Sequence, residues 1–278
     1  MGDLDGTTIL ITGANTGIGK ATAQALAARG AEIFLACRSL RKTQPVMAEI
    51  TAATGNHKLH LLPLDLGSLA SVRACADAFL ATARPLHVLI NNAGVAGRRG
   101  LTESGFELAF GTNFVGPFLL TQLLLDRLRD SAPARIVNVA SDAHSNAKGI
   151  DFDAVRQPTK SRTALPEYAV SKLANVLHAQ ELARRLDGQR VTSYALHPGV
   201  IASDIWREIP GPVRSLMKLA MRSPEDGAKT SLYCATAPEL AGESGLYYER
   251  SQHKRTGSAV TPELARELWS RAEAWVDG

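Results

Sequence analysis

A tyrosine and a lysine four residues apart are the clearest candidates for acid–base chemistry in this sequence. Tyr168 and Lys172 occupy the ends of the run Tyr-Ala-Val-Ser-Lys, and residues i and i+4 of an α-helix share one face. A phenol has a pKa of about 10, and a neighbouring ammonium favours its charged form. We therefore expect Lys172 to lower the pKa of Tyr168, which then acts as a general acid or base. The alternative is a partly buried tyrosine beside a surface lysine.

Three further polar positions could serve the same reaction centre. Ser141 follows a predicted strand, where its hydroxyl could hold and polarise a substrate oxygen. Asn113 interrupts an apolar helical stretch, and it either holds a water molecule for proton relay or satisfies a backbone carbonyl at a kink. The run Asn-Asn-Ala-Gly at 91–94 follows another predicted strand, and it either leaves room for a ribose or is an ordinary turn.

A glycine-rich turn at 12–19, Thr-Gly-Ala-Asn-Thr-Gly-Ile-Gly, joins the first predicted strand to the first predicted helix. Glycines at such a turn let the backbone approach a pyrophosphate, and the helix N-terminus offers unpaired N–H groups to it. The spacing is Gly-x-x-x-Gly-x-Gly, which differs from the usual dinucleotide fingerprint. The turn therefore indicates a dinucleotide site, with glycines that serve packing only as the alternative.

The residues after the second predicted strand bear on which dinucleotide would bind. A site for NAD usually has an Asp or Glu there, but no carboxylate lies between Ile33 and Gln44. Arg38 is present instead, and a guanidinium suits a ribose 2′-phosphate. We therefore expect NADP(H) in preference to NAD(H). Asp65, after the third predicted strand, either accepts a hydrogen bond from the adenine amine or resembles a helix cap before Ser68.

Strands and helices alternate along the chain in a pattern that would bring these residues to one edge of a sheet. Such alternation predicts an α/β fold, a doubly wound (Rossmann) parallel sheet with helices on both faces. Predicted strands cover 8–12, 32–36, 58–63, 87–90, 135–140, 190–196 and 245–248, and predicted helices cover 18–29, a segment from about 39, 68–81, 102–129 and 167–186.

Composition narrows the class of protein. The chain has 278 residues, of which 45 % are hydrophobic and 21 % charged, as expected of a globular enzyme. The net charge is +4, but no run of five basic residues occurs, so we expect no nucleic-acid partner. The three cysteines are widely spaced, which predicts a reducing compartment and no metal site. No window has about 18 uninterrupted apolar residues, so we expect no membrane span and a cytoplasmic location.

Taken together, these segments resemble the short-chain dehydrogenase/reductase superfamily over essentially the whole chain. The resemblance rests on residues 12–19, Asp65, 91–94, Asn113, Ser141, Tyr168, Lys172 and 197–199. It implies one domain over 1–278 with about seven parallel strands, a homodimer or homotetramer, and catalysis by Asn113, Ser141, Tyr168 and Lys172. The cofactor contacts expected from the residues and the resemblance are Gly13, Asn15, Thr16, Gly17, Ile18, Gly19, Arg38, Asp65, Leu66, Asn92, Ala93, Gly94, Tyr168, Lys172, Pro198, Gly199 and Val200.

Within the superfamily the chain resembles the branch of retinol dehydrogenases and WW-domain oxidoreductases. Leu-Ala-Cys-Arg at 35–38 and Ser-Asp-Ala-His at 141–144 carry this likeness. The resemblance supports Arg38 as the 2′-phosphate ligand. Ser141 and Tyr168 are 27 positions apart, an insertion that we expect to shape the substrate mouth. Membrane-bound retinol dehydrogenases carry an N-terminal anchor, which this chain is not expected to have.

The apolar stretch at about 201–223 predicts a lid that closes over the substrate, or else plain helix packing. The expected reaction is hydride transfer between NADP(H) and a small, largely apolar ketone, aldehyde or alcohol, with Tyr168 as general acid or base. Two alternatives stay open. One is a double-bond reductase similar to protochlorophyllide reductases, and the other is a non-catalytic sensor that binds NADP(H).

Overall fold

Runs of Val, Ile and Leu form the buried strands of one sheet in the computed structural model, which describes residues 2–199 and 223–277. The strand order is β3-β2-β1-β4-β5-β6-β7-β8, with β1 to β7 parallel and β8 antiparallel to β7. The strands are β1 Thr8–Thr12, β2 Glu32–Cys37, β3 Leu59–Pro63, β4 Val88–Asn91, β5 Ala134–Val139, β6 Val191–His197, β7 Leu246–Glu249 and β8 Gln252–Lys254.

Helices cover both faces of the sheet. The described helices are α1 Gly17–Ala28, α2 Leu40–Thr54, α3 Leu69–Leu80, α4 Leu108–Asp130, α5 Leu165–Arg185, α6 Pro224–Thr236 and α7 Pro262–Val276. Alternate strand residues enter opposite cores: Leu10 packs with α3, α4, α5 and α7, whereas Ile9 and Ile11 pack with α1, α2 and α6. Burying each such side chain stabilises the fold by about 1.5–3 kcal/mol.

The direction in which the sheet is built reverses between β1 and β4. From β1 the chain proceeds outward through β2 and β3, then crosses back to β4 on the other side of β1. In open parallel sheets a crevice forms at this point, beyond the carboxyl ends of the strands. The fold thereby brings the residues that follow β1, β2, β4, β5 and β6 to one edge.

The doubly wound Rossmann fold predicted from the sequence is confirmed, with three local differences. The sheet has an eighth strand, β8, in addition to the seven predicted. All residues of β8 are exposed, so the sequence lacks the alternation of apolar and polar residues that would predict a strand there. Helix α4 begins at Leu108 rather than 102, because the buried Glu107 carboxylate caps it by accepting from N–H of Phe110 at 2.8 Å. Within α4, residues Gly111–Val115 form a π-turn.

The prediction that no segment could span a membrane is wrong. Within the described residues, α4 is 23 residues long and has a mean hydropathy of 1.5 over its most apolar window, which is long and apolar enough to cross a bilayer. Counting uninterrupted apolar residues missed it, because isolated polar residues interrupt an otherwise apolar helix. In the structure 78 % of that window is buried inside the protein.

Three sequence predictions fall partly or wholly outside the described residues. The lid at about 201–223 lies outside them except for Ser223, which caps α6 by accepting from N–H of Asp226 at 3.1 Å. The single domain over 1–278 stays a prediction for the same reason. Val200, expected to meet the cofactor, also lies outside the described residues.

Candidate active site

A cleft of about 1080 Å³ opens at the carboxyl ends of the strands. Nearly every residue that the sequence singles out lines it. Those residues are Gly13, Asn15, Thr16, Gly17, Ile18, Gly19, Arg38, Asp65, Leu66, Asn92, Ala93, Gly94, Ser141, Tyr168, Lys172, Pro198 and Gly199. The strand ends therefore assemble segments that are far apart in the chain around one space.

The glycine-rich turn is packed directly against the loop after β4. The hydroxyl of Thr12 accepts hydrogen bonds from N–H of Asn92 and of Ala93, both at 3.0 Å. Gly13 has φ +66°, and a Cβ there would lie 2.9 Å from the Cα of Ala93. A Cβ at Gly19 would lie 2.3 Å from the carbonyl oxygen of Gly13. These approaches require glycine, because any side chain would push the two loops apart.

The first turn of α1 faces the cleft and is suited to an anion. Helix α1 has neither a side-chain cap nor an acidic residue in its first turn. Its first N–H groups lack partners within the helix, and the positive end of the helix dipole lies there. Gly17, Ile18 and Gly19 of this turn all line the cleft. The arrangement therefore fits the pyrophosphate of a dinucleotide.

Replacement of Gly19 by alanine is expected to weaken dinucleotide binding and to lower the free energy of unfolding by about 1–3 kcal/mol. The new methyl group meets backbone atoms that have no free direction in which to move. Urea denaturation and coenzyme fluorescence titration measure the two effects. Gly242→Ala is the matched control, because a Cβ at Gly242 meets nothing within 4 Å. Equal behaviour of the two variants would contradict the close packing of this turn.

The far end of the cleft carries positive charge beside the end of β2. Arg38 is exposed and lines the cleft together with Ser39 and Lys42. Asp65 lines it as well, and its carboxylate accepts from N–H of Gly67 at 2.9 Å. The helix-cap alternative for Asp65 is wrong, because Ser68 caps α3 by accepting from N–H of Ser71 at 3.5 Å.

Tyr168 and Lys172 lie on one face of α5, inside the cleft but shielded from solvent. Tyr168 is 7 % exposed, and its hydroxyl lies near the hydroxyl of Ser141, which acts on its pKa. Nζ of Lys172 lies 5.6 Å from the centre of the Tyr168 ring and donates to the carbonyl of Val139, the last residue of β5, at 2.7 Å. Asn175, three residues further along α5, donates to the same carbonyl at 3.3 Å.

Burial changes the acid–base properties of this pair in a way that spacing alone does not reveal. Desolvation raises the pKa of Tyr168, and the hydrogen bond from Ser141 works against that rise. Desolvation also lowers the pKa of Lys172 to about 7. The expectation that Lys172 lowers the pKa of Tyr168 is therefore wrong for the protein alone, because the buried lysine is itself only partly charged at neutral pH.

Asn113 is the one predicted catalytic residue that does not line the cleft. Its amide oxygen accepts from N–H of Val95 at 2.8 Å, and its amide nitrogen donates to the carbonyl of Val95 at 3.0 Å and to the hydroxyl of Ser171 at 2.9 Å. Of the two sequence alternatives for its side chain, the geometry therefore fits the bonding of backbone groups. Its part in catalysis stays a prediction.

Several residues at the mouth of the cleft were not predicted from the sequence. Asn146, Thr163, Leu165 and Pro166 line it and belong to the insertion between Ser141 and Tyr168. Glu167 holds the end of this insertion by accepting from N–H of Ser161 at 2.8 Å. The length of the insertion was the available signal, but not which of its residues reach inward.

Comparison with known proteins gives consistent matches. The family described as short chain dehydrogenase matches residues 7–212. Retinol dehydrogenase 12 of Homo sapiens is 46 % identical over 278 residues, which cover 96 % of this chain and 85 % of that protein. This similarity to a retinol dehydrogenase does not support the expectation that the protein has no membrane partner.

Solved structures match over most of the chain as well. A crystal structure of an uncharacterized protein from Mycobacterium paratuberculosis is 30 % identical, with a TM-score of 0.79 over 99 % of this chain and 96 % of that one. The active-site complex of Pseudomonas aeruginosa RhlG with NADP is 28 % identical, with a TM-score of 0.72 over 88 % of this chain and 94 % of that one.

Proposed function

Because this chain belongs to the short-chain dehydrogenase/reductase family, in its retinol-dehydrogenase-like branch, we propose that it is an NADP(H)-dependent oxidoreductase that interconverts a largely apolar ketone or aldehyde and its alcohol. The observation that carries the proposal is the hydroxyl pair of Tyr168 and Ser141, which lines the same cleft as the glycine-rich turn. A substrate oxygen held by this pair would lie within the space that the coenzyme shares.

The residues of the cleft divide the work of holding the coenzyme. Gly13, Gly17 and Gly19 would hold the pyrophosphate, and Asn92 with Lys172 would hold the ribose next to the nicotinamide. Gly94 lies beside these groups: a Cβ there would lie 3.2 Å from Oδ1 of Asn113 and 3.5 Å from Nζ of Lys172. When bound, the reduced nicotinamide supplies hydride to a carbonyl carbon. The dimensions of the cleft and the glycine contacts support this assignment.

The hydroxyl groups of Tyr168 and Ser141 would bind the substrate oxygen and complete the reduction. Tyr168 would deliver its proton to that oxygen, while the hydroxyl of Ser141 stabilises the negative charge that develops on it. The raised pKa of Tyr168 keeps the phenol protonated at neutral pH, as a proton donor must be. Burial lowers the pKa of Lys172 to about 7, so this residue can both give and take a proton at neutral pH. Lys172 would therefore return a proton to Tyr168 after the reaction.

An apolar substrate is favoured by two observations. Apolar side chains line the side of the cleft near Tyr168, and they belong to Val95, Ala96, Leu165 and Pro166. Leu165 is 44 % exposed, so its apolar surface is accessible to a substrate. The name of the relative cited above, retinol dehydrogenase 12, refers to an apolar alcohol. Purified protein should therefore oxidise NADPH in the presence of small, apolar aldehydes or ketones. Binding of NADPH without turnover across such a panel would contradict the proposal.

Replacement of Arg38 by alanine is expected to lower kcat/KM for NADPH by about 10–100-fold and to leave that for NADH nearly unchanged. The reason is the loss of charge-assisted hydrogen bonds to the 2′-phosphate, each of which contributes about 1.5–3 kcal/mol. Steady-state kinetics with both coenzymes gives the ratio. Arg41→Ala is the matched control, since Arg41 is exposed in the first turn of α2, three residues further along, and is not among the residues that line the cleft. Equal losses with NADPH and NADH would exclude this role for Arg38.

We propose that the protein works in a reducing, cytoplasmic compartment as a homo-oligomer. All three cysteines are unpaired and buried, which agrees with a reducing, cytoplasmic location. A homodimer or homotetramer is proposed from the resemblance to the superfamily alone.

A further inference from the structure

A buried histidine lies directly behind the serine of the hydroxyl pair. His144 belongs to the short 3₁₀ helix Asp142–Asn146, which begins immediately after Ser141. The histidine is 1 % exposed, and it is not among the residues that line the cleft. It therefore does not touch the substrate, and any effect it has on catalysis must pass through its neighbours.

Both ring nitrogens of His144 have backbone partners. Nδ1 lies 2.7 Å from the carbonyl oxygen of Ser141, and Nε2 lies 3.0 Å from the amide nitrogen of Gly257. A carbonyl oxygen can only accept and an amide N–H can only donate, so Nδ1 carries the proton and Nε2 is bare. Burial lowers the pKa of His144, in agreement with a neutral ring.

Several contacts besides the ring of His144 fix Ser141 in place. The carbonyl oxygen of Ser141 also accepts from the backbone N–H of His144 at 3.1 Å. The hydroxyl of Ser141 accepts from N–H of Ala143 at 3.2 Å and lies near the hydroxyl of Tyr168. Both ends of the serine are therefore held, its carbonyl by His144 and its hydroxyl by Ala143.

The other side of the ring is anchored to the C-terminal part of the chain. The ring lies 4.7 Å from the ring of Tyr247 on β7, measured between centres. Gly257 is packed so closely that a Cβ there would lie 2.9 Å from the Cα of Ser145. The segment that follows Gly257 leads into α7. There the centre of the Trp269 ring lies 4.3 Å from the guanidinium of Arg185, the last residue of α5, which is the helix that carries Tyr168.

We infer that His144 is a positioning residue, which fixes the carbonyl of Ser141 through its Nδ1–H and so orients the serine hydroxyl toward Tyr168 and the substrate oxygen. The inference rests on the proposed function, since orientation of Ser141 matters only if that hydroxyl serves the reaction. Preorganised donors of this kind lose effect when they shift by a fraction of an ångström.

Two conservative replacements separate the two bonds of the ring. The amide nitrogen of asparagine takes the place of Nδ1, so His144→Asn keeps a donor to the Ser141 carbonyl. The amide of glutamine reaches the place of Nε2, so His144→Gln keeps an acceptor for Gly257 and loses the donor to Ser141. We expect His144→Gln and His144→Phe to lower kcat by about 10–100-fold with KM for NADPH unchanged, and His144→Asn to retain most of kcat.

The effect is expected to vanish when the serine hydroxyl is removed. In a Ser141→Ala background, His144→Phe should cause no further loss of kcat, since there is no hydroxyl left to orient. A merely structural role would lower kcat in both backgrounds and would not distinguish Asn from Gln. Nitrogen-15 NMR of the wild-type side chains adds a measurement independent of activity, which should find the proton of His144 on Nδ1.

The outcomes separate this inference from the proposed function. If the wild type oxidises no NADPH with any carbonyl, the proposed function fails and the inference fails with it. If Ser141→Ala lowers kcat but His144→Gln does not, the proposed function stands and the positioning role is wrong. A proton found on Nε2 of His144 would also overturn it. Loss of kcat in His144→Gln, its recovery in His144→Asn and its absence in the Ser141→Ala background support it.

Discussion

Replacement of Tyr168 by phenylalanine is expected to lower kcat for carbonyl reduction by about 10²–10⁴-fold, because a positioned general acid contributes that much to the rate. The ring remains and fills the same space, so the fold and NADPH binding should be retained. Steady-state kinetics and fluorescence titration of NADPH measure the two quantities. Tyr233→Phe on α6 is the matched control, since Tyr233 is half-buried and is not among the residues that line the cleft. Near-normal turnover in the Tyr168→Phe variant would show that the phenol is not the proton donor.

Replacement of Lys172 by methionine is expected to lower kcat by about 10²–10⁴-fold and also to stabilise the protein. Lys172 is 3 % exposed, and burial lowers its pKa from 10.5 to about 7. One pKa unit corresponds to about 1.4 kcal/mol, so burial of Lys172 lowers the free energy of unfolding at pH 7 by about 4 kcal/mol. Methionine removes that cost, although it also loses the hydrogen bond to Val139.

The pH dependence of this stabilisation follows from proton linkage. Between pH 7 and 10.5 the unfolded lysine binds a proton that the folded lysine has lost, so the free energy of unfolding of the wild type rises with pH in that window. The advantage of Lys172→Met should therefore shrink by about 2 kcal/mol between pH 7 and pH 9. Urea denaturation at both pH values measures it, with Lys148→Met, at an exposed position, as the control. An advantage independent of pH would contradict a lowered pKa of Lys172.

Patterns that depend on local geometry were predictable from the sequence. The apolar strands were predicted nearly to the residue, because a strand buried on both faces is almost uninterrupted in Val, Ile and Leu. The spacing of Tyr168 and Lys172 predicts a shared helix face without knowledge of the rest of the fold. The glycine-rich turn could be found because the position between β1 and α1 defines what it can contact.

Features that depend on distant contacts were not predictable in this way. The pKa directions of Tyr168 and Lys172 follow from burial beneath β5, which their spacing does not express. Asn113 meets Val95, which lies in a loop that α4 approaches only in the folded chain. Asp65 forms a turn with Gly67 rather than a helix cap, because the residue that caps α3 is Ser68, three positions further along the chain. The match of α4 to a membrane span in length and composition depends on average hydropathy rather than on an unbroken apolar run.

The destination of the hydride tests the central proposal most directly. Purified protein would be supplied with NADPH that carries deuterium at both positions of the nicotinamide C4, together with an apolar aldehyde. Mass spectrometry of the product alcohol should find one deuterium on the carbon that bears the hydroxyl. An unlabelled alcohol, or deuterium on a carbon that had belonged to a carbon–carbon double bond, would contradict carbonyl reduction at the hydroxyl pair of Tyr168 and Ser141.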